Sequence, residues 1–258
     1  MNLKQLLIKT FAVILVTTNV AFAQNLNGLK VILDSGHGGD DPGAKAKIQG
    51  VSYEEKSLNN SITQKLASIL SSYGAEVLFT RNPYEDTGLN LYKRPEIANS
   101  SGAQLFISIH HNSALNEAAN GTEVFYSSNR VNNKITSYVE FNGARYEYIK
   151  ESVDDGIPFV HVMVEGKEMK IEKSKVKVIK PSSTSNIWQV LESQRLAQMV
   201  VSNIASLGLR NRGAKDSSLV VTRYTTMPSI LVEVGFMSNP EELSKLVDEG
   251  FQLSVAQK

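Results

Sequence analysis

Short apolar runs alternate along the chain with stretches in which apolar residues recur every three or four positions. Such runs predict buried strands, whereas Leu58, Ile62, Leu66 and Ile69 share one face of an amphipathic helix that Gly74 is expected to end. The alternation predicts an α/β fold, with a twisted and mostly parallel sheet flanked by helices on both faces. The predicted strands and helices, in chain order, cover residues 29–34, 58–73, 76–80, 96–100, 104–109, 122–127, 196–207, 219–222, 230–234 and 240–248.

One long stretch, at about 129–190, departs from this alternation. Met169 and Ile171 lie among charged residues with the period of two that is typical of half-buried strands. The Asp-Gly pair at 155–156 is typical of a hairpin turn. The pattern therefore predicts a β-rich insertion within the α/β domain.

The first 23 residues resemble a secretory signal peptide. Lys4 and Lys9 precede a largely apolar stretch, and an Ala-x-Ala cleavage site ends at Ala23. The apolar stretch is too short for a typical spanning helix, which disfavours the alternative of an uncleaved anchor. We therefore expect residues 24–258 to be exported to the periplasm or to an extracellular, cell-wall-associated location, with no membrane span in the mature chain.

Charge and cysteine content narrow the function classes. The chain has 27 basic and 26 acidic residues, and loss of Lys4 and Lys9 would leave 25 basic residues and a formal charge of −1. This balance gives no indication of a nucleic-acid partner. Cysteine is absent, so the exported protein is expected to rely on its core or on a metal rather than on disulfides.

Three histidines follow predicted strands. His37 lies in the glycine-rich segment SGHGG, directly after the first strand, where flexible backbone keeps an imidazole accessible. His110 and His111 end another strand, so their side chains should point to opposite faces and only one should readily join a site with His37. The fourth histidine, His161, lies in the insertion and is expected to be an ordinary surface residue.

Two glutamates are candidates for the same chemistry. Glu55 follows Ser52 with the spacing of a helix capping box, so a capping role competes with a metal-binding role, and Glu54 is a rival ligand. Glu233 interrupts the apolar strand SILVEV, where a carboxylate is costly unless it is paired, bound to a metal or used in catalysis. A local structural hydrogen bond is the alternative for Glu233.

Taken together and in order, these motifs resemble the zinc-dependent N-acetylmuramoyl-L-alanine amidases of the Amidase_3 family. The similar segments are GHGGDDPGA at 36–44, the Glu55-Lys56 pair with Leu58-Asn59, Thr80-Arg81, Arg94 with Ala98-Asn99, SIHHN at 108–112, Gly121 with Val124 to Tyr126, RGAK at 212–215 and MPSILVEVGFMSNPEE at 227–242.

The resemblance implies a single Zn²⁺ per chain held by His37, Glu55 and His110, with Glu233 as the catalytic base. The implied reaction is hydrolysis of the amide between N-acetylmuramic acid and L-Ala in peptidoglycan. His111 stands where relatives often carry a small residue, and its role stays open.

The role of the insertion and the function class of the whole chain each have alternatives. The insertion at 129–190 has the position of a regulatory segment in cell-division amidases but not its helical composition. It is a candidate lid, a candidate wall-binding subdomain or a candidate surface for a protein activator or regulator. A catalytically silent peptidoglycan-binding or regulatory module on the same fold is the main alternative function. A zinc peptidase is disfavoured because the sequence has no HExxH motif.

Overall fold

The computed structural model describes residues 25–130, 138–142, 144–164, 167–179 and 184–258. The predicted signal peptide lies outside these residues. The chain divides into two compact units, the second of which, Asn132–Trp188, is inserted into the first. In the described part of the chain, no helix is both long and apolar enough to cross a membrane.

The elements of both units are numbered in chain order. The described strands are β1 (Lys30–Ser35), β2 (Lys45–Ile48), β3 (Val51–Glu54), β4 (Glu76–Phe79), β5 (Leu105–Asn112), β6 (Thr122–Tyr126), β7 (Tyr138–Phe141), β8 (Ala144–Asp154), β9 (Ile157–Val164), β10 (Lys167–Glu172), β11 (Lys177–Ile179), β12 (Asn211–Asp216) and β13 (Ser229–Phe236). The described α-helices are α1 (Glu55–Ser72), α2 (Lys93–Ser100), α3 (Thr184–Ala205), α4 (Val220–Arg223), α5 (Pro240–Leu246) and α6 (Glu249–Ala256).

The main sheet of the first unit has six strands in the order β12-β6-β13-β5-β1-β4. Neighbouring strands are parallel except for β6 and β13, which pair antiparallel. The carboxyl ends of β1, β5 and β13 therefore lie at one edge of the sheet. This arrangement confirms the predicted mostly parallel α/β sheet.

Helices cover both faces of the sheet because side chains alternate along its strands. Val31 and Leu33 of β1 pack with Ala67 of α1 on one face. Ile32, between them, packs on the other face with Ala98 of α2. All three β1 side chains are fully buried, so this strand is covered on both of its faces.

The inserted unit is a five-stranded antiparallel sheet in the order β10-β9-β8-β7-β11, with a single 3₁₀ turn at Lys173–Lys175. Its own apolar core includes Val139, Val160, Val162 and Ile171. Asp155 and Gly156 both adopt positive φ in the turn between β8 and β9, as a tight hairpin requires. The predicted β-rich character of the insertion is therefore confirmed, except that its last predicted residues, 184–190, belong to helix α3, which begins earlier than the predicted helix at 196–207.

Three local predictions were wrong. Residues 219–222, predicted as a strand, lie mainly in the short helix α4, because a short apolar run has no period that separates strand from helix. The edge strand β12 was not predicted, since its polar sequence NRGAKD lacks an alternating pattern. The last predicted helix, 240–248, corresponds to α5 alone, and α6 after it was not predicted; Asp248 caps α6 by accepting a hydrogen bond from the Phe251 N–H at 2.7 Å.

Candidate metal centre

His37 projects from the loop that follows β1. Its backbone is left-handed, with φ of 59°, and its ring Nδ1 lies 2.8 Å from Asp41 Oδ2. The other ring nitrogen, Nε2, lies 3.1 Å from Glu55 Oε2. Asp41 thus orients the imidazole so that Nε2 faces Glu55, which is the role of a hydrogen-bonding partner behind a metal ligand.

Two glycines allow the candidate ligands to approach one another. A Cβ atom on Gly36 would lie 2.2 Å from the His110 ring. A Cβ atom on Gly43 would lie 2.5 Å from Glu55 Oε2 and 2.7 Å from the His37 ring. Side chains at these positions would therefore displace the site, which explains the glycine-rich sequence around His37.

Glu55 is the first residue of α1, but its side chain does not cap the helix. The N-cap residue is Glu54, and no side chain caps there. Glu55 Oε2 accepts a hydrogen bond from the Ala44 N–H at 2.9 Å, and Oε1 lies 3.0 Å from His110 Nδ1. Glu54 instead pairs with Lys45 at 3.0 Å. The structure therefore favours Glu55 over Glu54 and removes the capping-box alternative.

His37, Glu55 and His110 form one cluster. Their candidate ligand atoms all lie within 4.8 Å of one another, and among the residues that the structure describes this is the group found to have metal-binding geometry. Two imidazole nitrogens and one carboxylate oxygen form a typical donor set for a catalytic Zn²⁺, which keeps a further coordination position for water or substrate. The residues present therefore fit a zinc ion.

The charge state of Glu55 suits this use. Burial alone would raise the pKa of Glu55, but hydrogen bonds with His110 and His37 and with the Ala44 N–H hold it well below its usual range. Burial likewise acts to lower the pKa of His37, but Glu55 and Asp41 raise it overall. The carboxylate is thus ionised at neutral pH, and a cation is favoured between it and the two rings.

Glu233 lies on β13, in register with His110 on the neighbouring strand β5. Its Oε2 atom is enclosed and has no hydrogen-bond partner among the described residues, so the alternative of a local structural hydrogen bond is not supported for that atom. Burial raises the pKa of Glu233 well above its usual range, and the carboxylates of Glu55 and Glu123 raise it further. A carboxylate in this environment is suited to accept a proton near neutral pH.

A second carboxylate beside Glu233 was missed by sequence reasoning. Glu123 on β6 is in register with Glu233 on β13. Unlike Glu233, it is fully paired: its carboxylate accepts hydrogen bonds from Arg212 Nε at 2.6 Å, from Asn112 Nδ2 at 2.7 Å and from Lys215 Nζ. Arg212 and Lys215 belong to the RGAK motif, and both of their charges pair with Glu123.

Glu242 on α5 connects the strands that carry these two carboxylates. Its Oε1 accepts the Gly121 N–H at 2.6 Å, next to the start of β6, and its Oε2 accepts the Phe236 N–H at 2.7 Å, at the end of β13. The side chain is buried. This bridge fixes the strand ends on either side of Glu233 and accounts for the second glutamate of the NPEE sequence.

A buried ion pair supports the loop that carries His37. Arg94 Nη1 lies 2.8 Å from Asp34 Oδ1 and 2.8 Å from the Ser35 carbonyl, while Nη2 donates to the His37 carbonyl at 2.8 Å. Burial alone would raise the pKa of Asp34, but the Arg94 charge and the hydroxyls of Thr80 and Ser108 lower it. Arg94 therefore holds the backbone on both sides of Gly36.

A cavity of about 420 Å³ adjoins His37 and His110. Its wall is mostly apolar and comes from the loop before α2, from the segment containing α4, and from β13. The short helix α4 therefore contributes to the surroundings of the candidate site. The apolar lining residues are Leu89, Leu91, Leu219, Val220, Val221 and Leu231.

The other histidines do not join the cluster. His111 points to the opposite face from His110, as strand alternation predicts, and its ring lies 2.8 Å from Asn59 Oδ1 on α1. Burial lowers the pKa of His111 to about 4. His161 lies in the inserted sheet, where its ring nitrogens contact Ser152 and Glu168.

Comparison with known proteins agrees with this geometry. Residues 31–258 match the family model Amidase_3, N-acetylmuramoyl-L-alanine amidase. The chain is 30% identical to N-acetylmuramoyl-L-alanine amidase AmiA of Escherichia coli K12 over 227 residues, which cover 88% of this chain and 72% of the relative. The solved N-acetylmuramoyl-L-alanine amidase from Clostridium difficile 630 is 29% identical, with a TM-score of 0.61 over 90% of this chain and 92% of that one. The CwlD amidase from Clostridioides difficile, solved in complex with the GerS lipoprotein, has a TM-score of 0.60 over 89% of this chain and 93% of that one, and its 24% identity supports the fold alone.

Proposed function

Because the chain belongs to the Amidase_3 family of N-acetylmuramoyl-L-alanine amidases, we propose that it is an exported zinc enzyme that hydrolyses the amide between N-acetylmuramic acid and L-Ala in peptidoglycan. The observation that carries the proposal is the cluster of His37, Glu55 and His110, with Glu233 on the strand next to that of His110 and its Oε2 atom without a partner among the described residues. Membership in the family makes the protein an enzyme of the amidase class that acts on the cell wall. Zinc, the particular bond and export are the proposed parts.

The proposed mechanism assigns separate tasks to the four residues. His37, Glu55 and His110 would hold the ion, which would supply Lewis-acid activation of water and of the scissile carbonyl. Glu233 accepts a proton from the attacking water while the water oxygen bonds to the carbonyl carbon. Glu233 then delivers that proton to the L-Ala nitrogen as the C–N bond breaks. The products are a lactyl carboxylate and a free amine.

The silent-module alternative is less well supported. A binding module has no need of a carboxylate with an enclosed oxygen that lacks a hydrogen-bond partner beside a three-residue metal cluster, because such a group costs folding free energy. All four candidate residues are present in the chain. Retention of this costly arrangement favours a catalytic role over binding alone.

Zinc binding is expected to depend on the two histidines of the cluster. We expect about one zinc ion per purified chain, and loss of most of it in the double variant His37→Ala/His110→Ala, because only Glu55 remains of the three ligands. Elemental analysis of dialysed protein measures the ratio. His161→Ala is the matched control, since that ring lies in the inserted unit and should not affect zinc content. Full zinc content in the double variant would contradict the assignment.

Hydrolysis of a soluble muramyl peptide tests the proposed reaction. The purified mature chain should release a peptide with an N-terminal L-Ala, lose this activity in the presence of a chelator and regain it when zinc is added back. Mass spectrometry identifies the product. A zinc-loaded chain that leaves this amide intact on both soluble and polymeric substrates would favour the silent module.

For the inserted unit, the proposed role is recognition of a protein activator or regulator, or of a glycan strand. Its support is that the unit is compact and has its own core, so it exceeds what a connecting loop requires. The solved CwlD amidase in complex with the GerS lipoprotein shows that a protein of this fold can bind a partner. No acidic or basic residue of the insertion is assigned to that contact.

A deletion can test the insertion if it spares two features of the first unit. Arg130 donates hydrogen bonds to the Met227 carbonyl at 2.9 Å and to Ser193 Oγ at 2.7 Å, so it must be kept, as must α3. Residues 132–183 should therefore be replaced by a short Gly/Ser linker. A regulatory role in which the insertion restrains cleavage until a regulator binds predicts faster cleavage of a soluble muropeptide by the deletion, and a substrate-holding role predicts loss of activity on intact sacculi alone. Unchanged rates on both substrates in a folded, zinc-loaded deletion would contradict either role.

A further inference from the structure

His111 is the buried histidine that the proposed reaction leaves without a task. Its side chain is 2% exposed and lies on the face of β5 covered by α1, opposite to His110. A histidine enclosed in this way requires hydrogen-bond partners, because an unpaired buried polar group costs free energy. The partners of His111 lead back to the metal cluster.

A chain of hydrogen bonds connects the His111 ring with the Glu55 carboxylate. His111 Nδ1 lies 2.8 Å from Asn59 Oδ1. Asn59 Nδ2, on the same amide, donates to Glu55 Oε1 at 3.3 Å and to the Gly36 carbonyl at 3.2 Å. The main-chain N–H of His111 also donates to Glu55 Oε1, at 3.1 Å. His111 therefore acts on Glu55 by two routes, one direct and one through Asn59.

The direction of these bonds follows from their chemistry. Glu55 Oε1 and the Gly36 carbonyl are acceptors, so the Asn59 group facing them must be the NH₂. Asn59 Oδ1 is then an acceptor, and His111 must carry a proton on Nδ1. The Nε2 atom of His111 has no hydrogen-bond partner in the described part of the chain. The ring is therefore held at Nδ1 and by its packing.

The His111 ring supports the orientation that Glu55 Oε1 and the Gly36 carbonyl already favour for the Asn59 amide, because it supplies a donor to Asn59 Oδ1. If the amide turned by half a rotation, its oxygen would face Glu55 Oε1 and the Gly36 carbonyl, and its NH₂ would face the Nδ1 proton of His111. Each contact would then join like groups. The observed orientation satisfies all three partners and presents a donor to Glu55, and loss of the His111 donor would leave Asn59 Oδ1 without its partner.

We propose that His111 is a positioning residue for the metal centre, which supports the Asn59 amide so that Glu55 is held in the orientation that faces His37 and His110. The proposal deepens the proposed function and rests on its zinc site. Partners behind a metal ligand typically change metal affinity by about 10- to 100-fold when they are removed. We expect a weakening in that range when the Nδ1 donor of His111 is lost.

Two substitutions at His111 separate positioning from packing. His111→Leu fills much of the volume without a donor, whereas His111→Asn places an amide near the former Nδ1 and can still donate to Asn59. The dissociation constant for Zn²⁺ is measured by competition with a chromophoric chelator, and the melting temperature is measured on the zinc-free proteins. We expect weaker zinc binding in His111→Leu, affinity close to wild type in His111→Asn, and no matching order in the melting temperatures.

Asn59→Ala provides a second test of the relay if His111→Leu does not fold. It should weaken zinc binding similarly, and addition of His111→Leu to it should weaken binding little further, because both changes break one relay. Wild-type zinc affinity in His111→Leu, or equal weakening in His111→Leu and His111→Asn, would overturn the relay alone. Failure of the wild-type chain to bind zinc would overturn the metal centre, and the relay with it.

Discussion

Glu233→Gln is expected to lower kcat/KM for a muramyl peptide by roughly 10²-fold or more, because it removes the base that takes the proton from water. Glutamine keeps the size of the side chain but cannot accept and return a proton. Zinc content should stay near that of the wild type, since Glu233 is not one of the three clustered ligands. Steady-state kinetics and elemental analysis of the same samples measure both quantities.

The stability of the Glu233→Gln variant provides a separate check. Burial and nearby carboxylates raise the pKa of Glu233 in the folded state. As the pH rises above the pKa that Glu233 has in the unfolded chain, the unfolded chain loses this proton more readily than the folded one, which destabilises the fold. Glutamine has no such proton and removes this cost. The zinc-free variant should melt at or above the wild-type temperature at neutral pH. Glu241→Gln, on the exposed start of α5, is the control. Wild-type activity in Glu233→Gln would mean that another residue is the base. Loss of zinc from this variant would mean that Glu233 is a metal ligand.

Arg94→Met is expected to destabilise the protein by about 3–5 kcal/mol, because it leaves the buried carboxylate of Asp34 without its counter-ion. The side chains of Arg94 and Asp34 are 5% and 0% exposed, and their atoms are 2.8 Å apart. The substitution also removes the donors to the Ser35 and His37 carbonyls. Urea unfolding of the zinc-free protein measures the loss, with an unchanged m-value expected.

Lys93→Met is a closely matched control for that experiment. Lys93 is adjacent to Arg94 on α2 and is also ion-paired, but it and Glu96 are 61% and 60% exposed. An exposed pair contributes at most about 1 kcal/mol, so this variant should change stability little. Arg94→Lys should fall between the two, since it keeps the charge but loses the fork of donors. Equal losses in Arg94→Met and Lys93→Met would contradict a structural role for the buried pair.

The parts of the fold and site that follow from local periodicity could be predicted from the sequence. The alternation of apolar runs with helical patterns predicted the mostly parallel sheet with helices on both faces, which the structure confirms. The period of two along β5 separated His110 from His111, and the structure places them on opposite faces as expected. Residues 169 and 171 predicted β structure in the insertion by the same argument.

Features that depend on contacts between distant segments could not be derived in this way. Ser52 and Glu55 have the spacing of a capping box, and only the fold shows that the Glu55 side chain turns towards His37 and His110. Glu123 gave no local signal, because its cations lie on the neighbouring strand β12, 89 and 92 residues further along the chain. Helix α4 was mistaken for a strand because its four residues are too few to show a period.

Digestion of purified peptidoglycan by the zinc-loaded mature chain in ¹⁸O-labelled water identifies the bond that is hydrolysed. Mass spectrometry of the fragments should find the label in the lactyl carboxyl group of N-acetylmuramic acid and a free amine on L-Ala, with both signals absent when a chelator is present or when Glu233 is glutamine. Label at a sugar carbon or within the stem peptide, or no label with zinc bound, would contradict a zinc amidase that uses His37, Glu55, His110 and Glu233.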